Sequence, residues 1–201
     1  MRLGVLDVGS NTVHLQVVDT HIGARPNPTF NYKEELRLTE YLQNDNTISA
    51  EGVGALEATL RRAISEANSV NVQELLPFAT SALRESANGD AIIKKINEDL
   101  EIDLQVLTGE EEAKLTFLAA RRWFGWSSGR LIVIDIGGGS LEIASGVDEA
   151  PEAATSLPLG AARLTKQFLN GDPFTEKSID KLKEHIKEIL EPISDALGPL
   201  P

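Results

Sequence analysis

One short pattern occurs twice in the chain, and it restricts the possible folds more than any other feature. LGVLD-VGSNT-VHLQV starts at Leu3, and LIVID-IGGGS-LEIAS starts at Leu131. In both copies an apolar run ends in an aspartate, a glycine follows two places later, and a hydroxyl residue stands five places after the aspartate. Each copy predicts a β-hairpin with a tight turn. The aspartates, Asp7 and Asp135, are 128 residues apart, so the pattern indicates one structural unit used twice rather than a short-period repeat.

Helix and strand patterns alternate along the rest of the chain. Ser49 and Thr108 are N-cap candidates because each precedes a run with helical spacing. The predicted strands are Phe30–Leu38, Leu75–Ala79 and Leu104–Leu107. One predicted helix begins after Ser49, and the others span Ala91–Leu100, Thr108–Phe124 and Glu176–Leu197. Pro192 should shorten or kink the last helix. Small residues at positions 125–129 predict a boundary between two domains, 1–125 and 126–201. The second domain is the shorter, so we expect it to be incomplete.

Charge and composition exclude several classes of partner. The chain has 201 residues and a formal net charge of −12. Proteins that bind a nucleic-acid polymer or an anionic membrane through a broad cationic surface are usually basic, so we expect neither partner. No apolar run approaches the roughly 18 residues of a membrane span. The absence of cysteine excludes disulfides and thiolate metal sites and favours a cytoplasmic location.

The two hairpin turns are candidate phosphate sites. Glycine-rich turns leave backbone N–H groups free to bind phosphate oxygens, and the side chains of Ser10, Thr12 and Ser140 add hydroxyl donors. Asp7 and Asp135, each at the end of a strand, are candidate ligands of Mg²⁺, because that ion prefers hard oxygen donors. The alternative is that both segments are ordinary hairpins with glycine turns. The sequence contains no Walker-type loop.

Three consecutive acids, Glu110, Glu111 and Glu112, stand in the first turn of the helix that Thr108 opens. Acids at this position stabilise a helix through its dipole, and Thr108 with Glu111 fits a capping box. A cap explains Glu111 but leaves Glu112 without a structural reason. A carboxylate beside a phosphate site can orient and deprotonate the attacking water, so Glu112 is a candidate general base.

Arg84 follows an apolar strand at a predicted strand-to-helix turn. A guanidinium there could bind a phosphate through two parallel hydrogen bonds. The alternative is a surface ion pair with Glu85 or Glu111, and the local sequence leaves both open.

Four segments together resemble the exopolyphosphatase/guanosine pentaphosphate phosphohydrolase (Ppx/GppA) family. They are DVGSNT at 7–12, ATSALR at 79–84, GEEEAK at 109–114 and VIDIGGGS at 133–140. They have the order and spacing of that family, and the resemblance covers roughly residues 1–170. It implies an α/β fold with two actin-like (ribonuclease H-like) domains around a cleft, as in the actin/hexokinase/heat-shock-protein-70 superfamily. Such a fold would account for the duplicated hairpin.

The resemblance also implies a role for each motif. It implies that Glu112 is the general base and that Asp135 is associated with the metal, Mg²⁺ or Mn²⁺. It implies phosphate binding by a larger set of residues, namely Arg84, Gly9, Ser10, Asn11, Gly137, Gly138, Gly139 and Ser140, with Asp7 in the first of the two loops. Thr12 stands where the family often has serine, and His14 where many members have arginine.

Three functions are consistent with these observations. The first is an Mg²⁺-dependent exopolyphosphatase, which removes the terminal phosphate of inorganic polyphosphate. The second is a guanosine pentaphosphate phosphohydrolase that uses the same site. The third is a non-catalytic actin-like module that binds a nucleotide or polyphosphate. A second copy of the chain is a further candidate partner. Family members continue beyond position 201 to finish the second domain, which agrees with the expectation that it is incomplete here.

Overall fold

The structure, a computed structural model, describes residues 1–23 and 27–193. Its contacts divide the chain into two units, with the division between Leu107 and Thr108. Each unit contains one β-sheet with helices packed on it. Among the described residues, no helix combines the length and apolar character that crossing a lipid bilayer requires.

The first unit has a five-stranded sheet in the order β3-β2-β1-β4-β5. Strands β1 and β4 are parallel, whereas β2 is antiparallel to both of its neighbours. The elements are β1 (Arg2–Val8), β2 (Thr12–Asp19), β3 (Pro28–Glu35), a 3₁₀ turn (Leu38–Tyr41), α1 (Ala50–Ser69), β4 (Glu74–Ala79), α2 (Ser81–Arg84), α3 (Gly89–Leu100) and β5 (Gln105–Val106).

Local sequence explains these elements. In β1 and β2 alternate side chains are buried, among them Leu6, Val8 and Leu15, which form one core with the apolar stripes of α1 and α3. Ser49 caps α1 as predicted, since its side chain accepts a hydrogen bond from the N–H of Gly52 at 3.2 Å. Burying alternate residues of the strands against the helices therefore fixes which face of this sheet is covered.

The second unit has a three-stranded antiparallel sheet in the order β6-β7-β8. Its elements are α4 (Gly109–Phe124), a 3₁₀ turn (Trp126–Ser128), β6 (Leu131–Ile136), β7 (Leu141–Gly146), β8 (Ala153–Leu157), α5 (Ala161–Phe168), α6 (Glu176–Leu190) and a 3₁₀ turn (Glu191–Ile193). Residues 194–197 of the predicted last helix lie outside the described residues.

The two faces of the second sheet carry different helices. Ala113 and Phe117 of α4 pack with Ala144 on one face. Leu141 and Ile143, whose side chains point to the other face, pack with α5 and α6. Because α4 packs on this sheet, the structure places the boundary at 107/108, whereas the sequence predicted domains 1–125 and 126–201. The small residues after α4 are a connection within the second unit.

The predicted duplication is confirmed. Asp7 pairs with His14 in the first hairpin, and Asp135 pairs with Glu142 at the equivalent place in the second. Each turn closes with the same hydrogen bond, from the N–H of Gly9 to the carbonyl of Thr12 at 3.0 Å in the first and from Gly137 to Ser140 at 2.9 Å in the second. The α/β fold class predicted from the resemblance is confirmed as well.

Candidate functional site

In the second unit, the loop between β6 and β7 directs its carbonyl groups to one side. We call residues 137–140 the glycine loop. The carbonyl of Gly137 accepts a hydrogen bond from the N–H of Ala161 at 2.9 Å, and the carbonyl of Gly138 accepts one from the N–H of Arg163 at 3.1 Å. The carbonyl of Gly139 accepts one from Arg163 Nε at 2.8 Å. All three carbonyl groups therefore face the start of α5.

The N–H groups of the glycine loop face the other way. A trans peptide directs its C=O and its N–H to opposite sides, so the N–H groups of Gly138, Gly139 and Ser140 point away from α5. Within residues 1–23 and 27–193, these three groups donate no hydrogen bond. Successive unpaired N–H groups in a turn form a concave anion-binding site. The arrangement agrees with the phosphate-binding role predicted for this loop.

Two carboxylates lie beside each other next to the glycine loop. Asp135 is the cross-strand partner of Glu142, and both point to the face of the sheet on which α4 packs. Asp135 is exposed, whereas Glu142 is only 3% exposed and accepts a hydrogen bond from Ser156 Oγ at 2.7 Å. Oxygen donors of this kind suit Mg²⁺, which usually takes one or two carboxylates and completes its shell with water and phosphate oxygens. The described part of the chain has no group of three or more His, Asp or Glu side chains that could enclose a metal.

The three acids at the start of α4 have different surroundings. Glu111 closes the predicted capping box, since its carboxylate accepts from the N–H of Thr108 at 2.8 Å and its own N–H donates to Thr108 Oγ1 at 3.2 Å. The bond from the N–H of Thr108, together with one from Thr108 Oγ1 to the same carboxylate at 2.8 Å, lowers the pKa of Glu111. Glu110 pairs with Lys114 at 2.5 Å. Glu112 is half-buried beside Ala113, the residue through which α4 packs on the sheet.

In the first unit, the turn between β1 and β2 is fixed by its neighbours. The carbonyl of Asn11 accepts hydrogen bonds from the N–H groups of Leu36 and Arg37 at 2.8 and 2.9 Å. Ser10 Oγ is buried and shares a hydrogen bond of 2.9 Å with Ser81 Oγ at the start of α2. The hydroxyl of Ser10, predicted as a phosphate donor, already shares a hydrogen bond inside the unit, and its backbone N–H is a second group that this residue can offer to a ligand.

Arg84 lies at the end of α2, near the carboxyl ends of β4 and β5. Its Nη1 donates to the carbonyl of Leu107 at 2.9 Å, and its Nη2 lies 3.8 Å from the carboxylate of Glu85. The contact with Glu85 is the ion pair that the sequence left open, although it is long. Because β1 and β4 are parallel and adjacent, the loops that follow Asp7 and Ala79 begin at the same edge of the sheet.

The predicted site residues are thus distributed over both units. The first unit holds Asp7, Gly9, Ser10, Asn11, Thr12 and Arg84, and the second holds Glu112, Asp135, Gly137, Gly138, Gly139 and Ser140. Sequence reasoning missed Glu142 and Arg163. A signal for Glu142 was present, because the same turn in the first copy pairs its aspartate with the residue seven places later, Asp7 with His14. For Arg163 no local signal exists, since its partner Gly139 is 24 residues away.

Most of the chain is similar to known proteins. The sequence model of the Ppx/GppA phosphatase family matches residues 16–199. Exopolyphosphatase 1 of Mycobacterium tuberculosis is 48% identical over 193 residues, which are 96% of this chain and 56% of that protein. Guanosine-5'-triphosphate,3'-diphosphate pyrophosphatase of Aliivibrio fischeri is 30% identical over 188 residues, 94% of this chain and 37% of that protein.

A solved structure with a similar fold comes from a protein of the same kind as the mycobacterial relative. The crystal structure of an exopolyphosphatase from Cytophaga hutchinsonii superimposes with a TM-score of 0.89 at 28% identity, over 98% of this chain and 62% of that chain. The chain thus spans a little over half the length of the mycobacterial relative and less than two thirds of this structure.

Proposed function

Because the chain belongs to the Ppx/GppA phosphatase family, we propose that the protein hydrolyses the terminal phosphoanhydride bond of inorganic polyphosphate. The observation that carries this proposal is the row of N–H groups at Gly138, Gly139 and Ser140, which have no hydrogen-bond partner among the described residues, next to the paired carboxylates of Asp135 and Glu142. The 48% identity with a protein named exopolyphosphatase supports polyphosphate as the substrate.

The proposed reaction assigns a task to each group. Glu112 orients a water molecule and takes its proton as the water oxygen attacks the terminal phosphorus. The bond from that phosphorus to the bridging oxygen breaks, which releases orthophosphate and a polyphosphate shorter by one unit. The N–H groups of Gly138, Gly139 and Ser140 stabilise the charge on the phosphoryl oxygens in the transition state.

Arg84 and the first turn belong to the same proposal as phosphate ligands. The guanidinium of Arg84 and the N–H groups of Ser10 and Asn11 are hydrogen-bond donors suited to phosphate oxygens. Asp135, with Glu142 beside it, and Asp7 are the residues that would hold Mg²⁺ or Mn²⁺, which when bound neutralises phosphate charge. Self-association and a cytoplasmic location stay predictions.

A second substrate, guanosine pentaphosphate, is supported by one observation. The relative from Aliivibrio fischeri, which is 30% identical over 94% of the chain, is named for hydrolysis of guanosine-5'-triphosphate,3'-diphosphate. The reaction would be the same, because the 5' end of guanosine pentaphosphate is also a terminal phosphate held by a phosphoanhydride bond. The two substrates differ only in the group that lies behind the reacting phosphate.

Initial rates of orthophosphate release decide between these proposals. Long-chain polyphosphate and guanosine pentaphosphate are compared at matched concentrations of terminal phosphate, with Mg²⁺ and with EDTA. We expect faster release from polyphosphate and loss of release in EDTA. Faster release from guanosine pentaphosphate would favour the second substrate. Binding of both without release would contradict hydrolysis and support the non-catalytic module.

A further inference from the structure

We propose that Arg163 is the positioning residue of the glycine loop, and that its guanidinium sets the direction in which the N–H of Ser140 points. The part of this inference that concerns phosphate binding rests on the proposed function. The part that concerns the orientation of the loop does not. Arg163 lies in the first turn of α5 and is half-buried. None of the motifs found in the sequence includes it.

The three carbonyl contacts of the loop are not equivalent. Backbone N–H groups of α5 hold the carbonyls of Gly137 and Gly138, and any residue except proline at 161 and 163 would supply them. The carbonyl of Gly139 is held by a side chain, Nε of Arg163, at 2.8 Å. That carbonyl belongs to the same peptide as the N–H of Ser140, so the side chain of Arg163 fixes the orientation of this donor.

A loop of glycines needs such an outside constraint. Gly137, Gly138 and Gly139 have no Cβ, so their backbone can adopt many conformations of similar energy, and ordering them costs more entropy than ordering other residues. A hydrogen bond from a charged donor is stronger than one between neutral groups. A cation bound to a carbonyl also polarises the peptide, which makes the N–H on its other side a better donor.

The backbone around Gly160 shows that α5 is built to contact the loop. A Cβ at Gly160 would lie 2.2 Å from the carbonyl carbon of Gly139 and 2.4 Å from the nitrogen of Ser140. Only glycine permits this approach, which brings Arg163 within reach of the loop. The N–H groups of Ala161 and Arg163 are already bonded to the loop, so the anion site lies at the loop's far side and not at these donors.

A purely structural role predicts a different result. If Arg163 only stabilised the fold, its removal would lower the melting temperature and leave the loop of the folded protein unchanged. If it positions the loop, the N–H of Ser140 loses order in the folded protein while that of Gly139 keeps it, and affinity for phosphate falls. Order parameters of single amides measure this difference directly.

The experiment compares Arg163→Met and Arg163→Lys with Arg122→Met as the matched control. Arg122 is an exposed arginine of the same unit whose side chain pairs with Glu149. Order parameters for residues 137–140 are measured by ¹⁵N relaxation without ligand, and the Kd is then measured for tripolyphosphate with Mg²⁺. We expect Arg163→Met to reduce order at Ser140 more than at Gly138 and Gly139, and to weaken binding about 10-fold or more, which is the equivalent of one charged hydrogen bond. Arg163→Lys, which keeps a cationic donor, should recover part of both.

Unchanged amide order and an unchanged Kd in Arg163→Met would overturn the inference. If Arg163→Met does not fold, Arg163→Gln replaces it, with a smaller expected loss and the same overturning result. If the wild-type protein does not bind tripolyphosphate at all, the proposed function is what fails. The order parameters of the ligand-free protein then still decide whether Arg163 orients the loop.

Discussion

Glu34 joins strand β3 to helix α1 through a cluster of hydrogen bonds. Arg62 Nε donates to its carboxylate at 2.9 Å, Thr59 Oγ1 donates at 3.3 Å, and the hydroxyl of Tyr32 donates as well. The hydrogen bond from Arg62 is the main cause that lowers the pKa of Glu34 from 4.5 to about 2. The same carboxylate raises the pKa of Tyr32.

The low pKa of Glu34 predicts how stability depends on pH. Because the carboxylate is more acidic in the folded chain than in the unfolded chain, its contribution is complete above about pH 4.5 and is lost as pH falls toward 2. Glu34→Gln should lower the free energy of unfolding by about 1–2 kcal/mol at pH 7, since solvent screens a partly exposed pair. The variant should also lose less of its free energy of unfolding than the wild type as the pH falls. Urea unfolding at several pH values measures both.

The control for this prediction is Glu74→Gln, at an exposed glutamate at the start of β4. It should follow the wild-type curve of stability against pH. A Glu34→Gln variant that loses stability in acid as steeply as the wild type would contradict the assignment.

At the scale of single residues, the sequence predicts what depends on near neighbours. The capping box of Thr108 and Glu111 could be predicted because both partners lie within one helical turn. The partner of Asp135 depends on the register of the hairpin, which the repeated turn implies although composition does not, and this register places Glu142 opposite. In the first copy the same position holds His14, so only the second hairpin has two carboxylates side by side.

At the scale of elements, the duplicated hairpin could be predicted but the unit boundary could not. A turn and its flanking strands are encoded within about fifteen residues, and these recur in both copies. The assignment of α4 to the second unit depends on which sheet buries Ala113 and Phe117. Helical spacing shows that a helix has an apolar face, but it does not show which sheet covers that face.

Strand β6 differs from its counterpart β1 in how its edges are paired. β1 lies between β2 and β4, whereas within the described residues β6 pairs with β7 alone. Ile134 and Ile136 of β6 are 61% and 64% exposed. An apolar strand with an unpaired edge promotes pairing with another chain.

We therefore expect Ile134→Lys to reduce concentration-dependent self-association without lowering the melting temperature. A lysine on an edge strand opposes pairing because its charge would have to be buried. Light scattering over a range of protein concentrations measures the effect. Val147→Lys is the control, since Val147 is 41% exposed but lies just after β7. Equal self-association of Ile134→Lys and wild type would show that this edge is not used.

At the scale of the whole molecule, the net charge of −12 has to be reconciled with a polyanionic substrate. With 31 acidic and 19 basic residues, we expect affinity to come from local N–H groups, a few arginines and a metal rather than from a broad basic surface. The sequence predicted this from charge and the glycine turns. The sequence could not predict that α5 donates hydrogen bonds to the carbonyl groups of the glycine loop, because that contact depends on the tertiary fold.

We therefore expect polyphosphate binding to depend only weakly on salt concentration. Proteins that neutralise many phosphates lose about 10³–10⁵ in affinity between about 50 and 200 mM salt, whereas we expect a change below about threefold here. The measurement is the KM for long-chain polyphosphate at saturating Mg²⁺ across that range of KCl. A steep rise of KM with salt would indicate an extended cationic surface and contradict this account.

The most direct test of the central claim is the rate of orthophosphate release from polyphosphate by Glu112→Gln. Removing a general base costs about 10²–10⁴ in rate, and we expect a loss in that range with an unchanged Kd for polyphosphate. Glu110→Gln, which alters an acid of the same helical turn that pairs with Lys114, should release phosphate at the wild-type rate. If Glu112→Gln releases phosphate as fast as Glu110→Gln, water is not activated by Glu112 and the proposed mechanism is wrong.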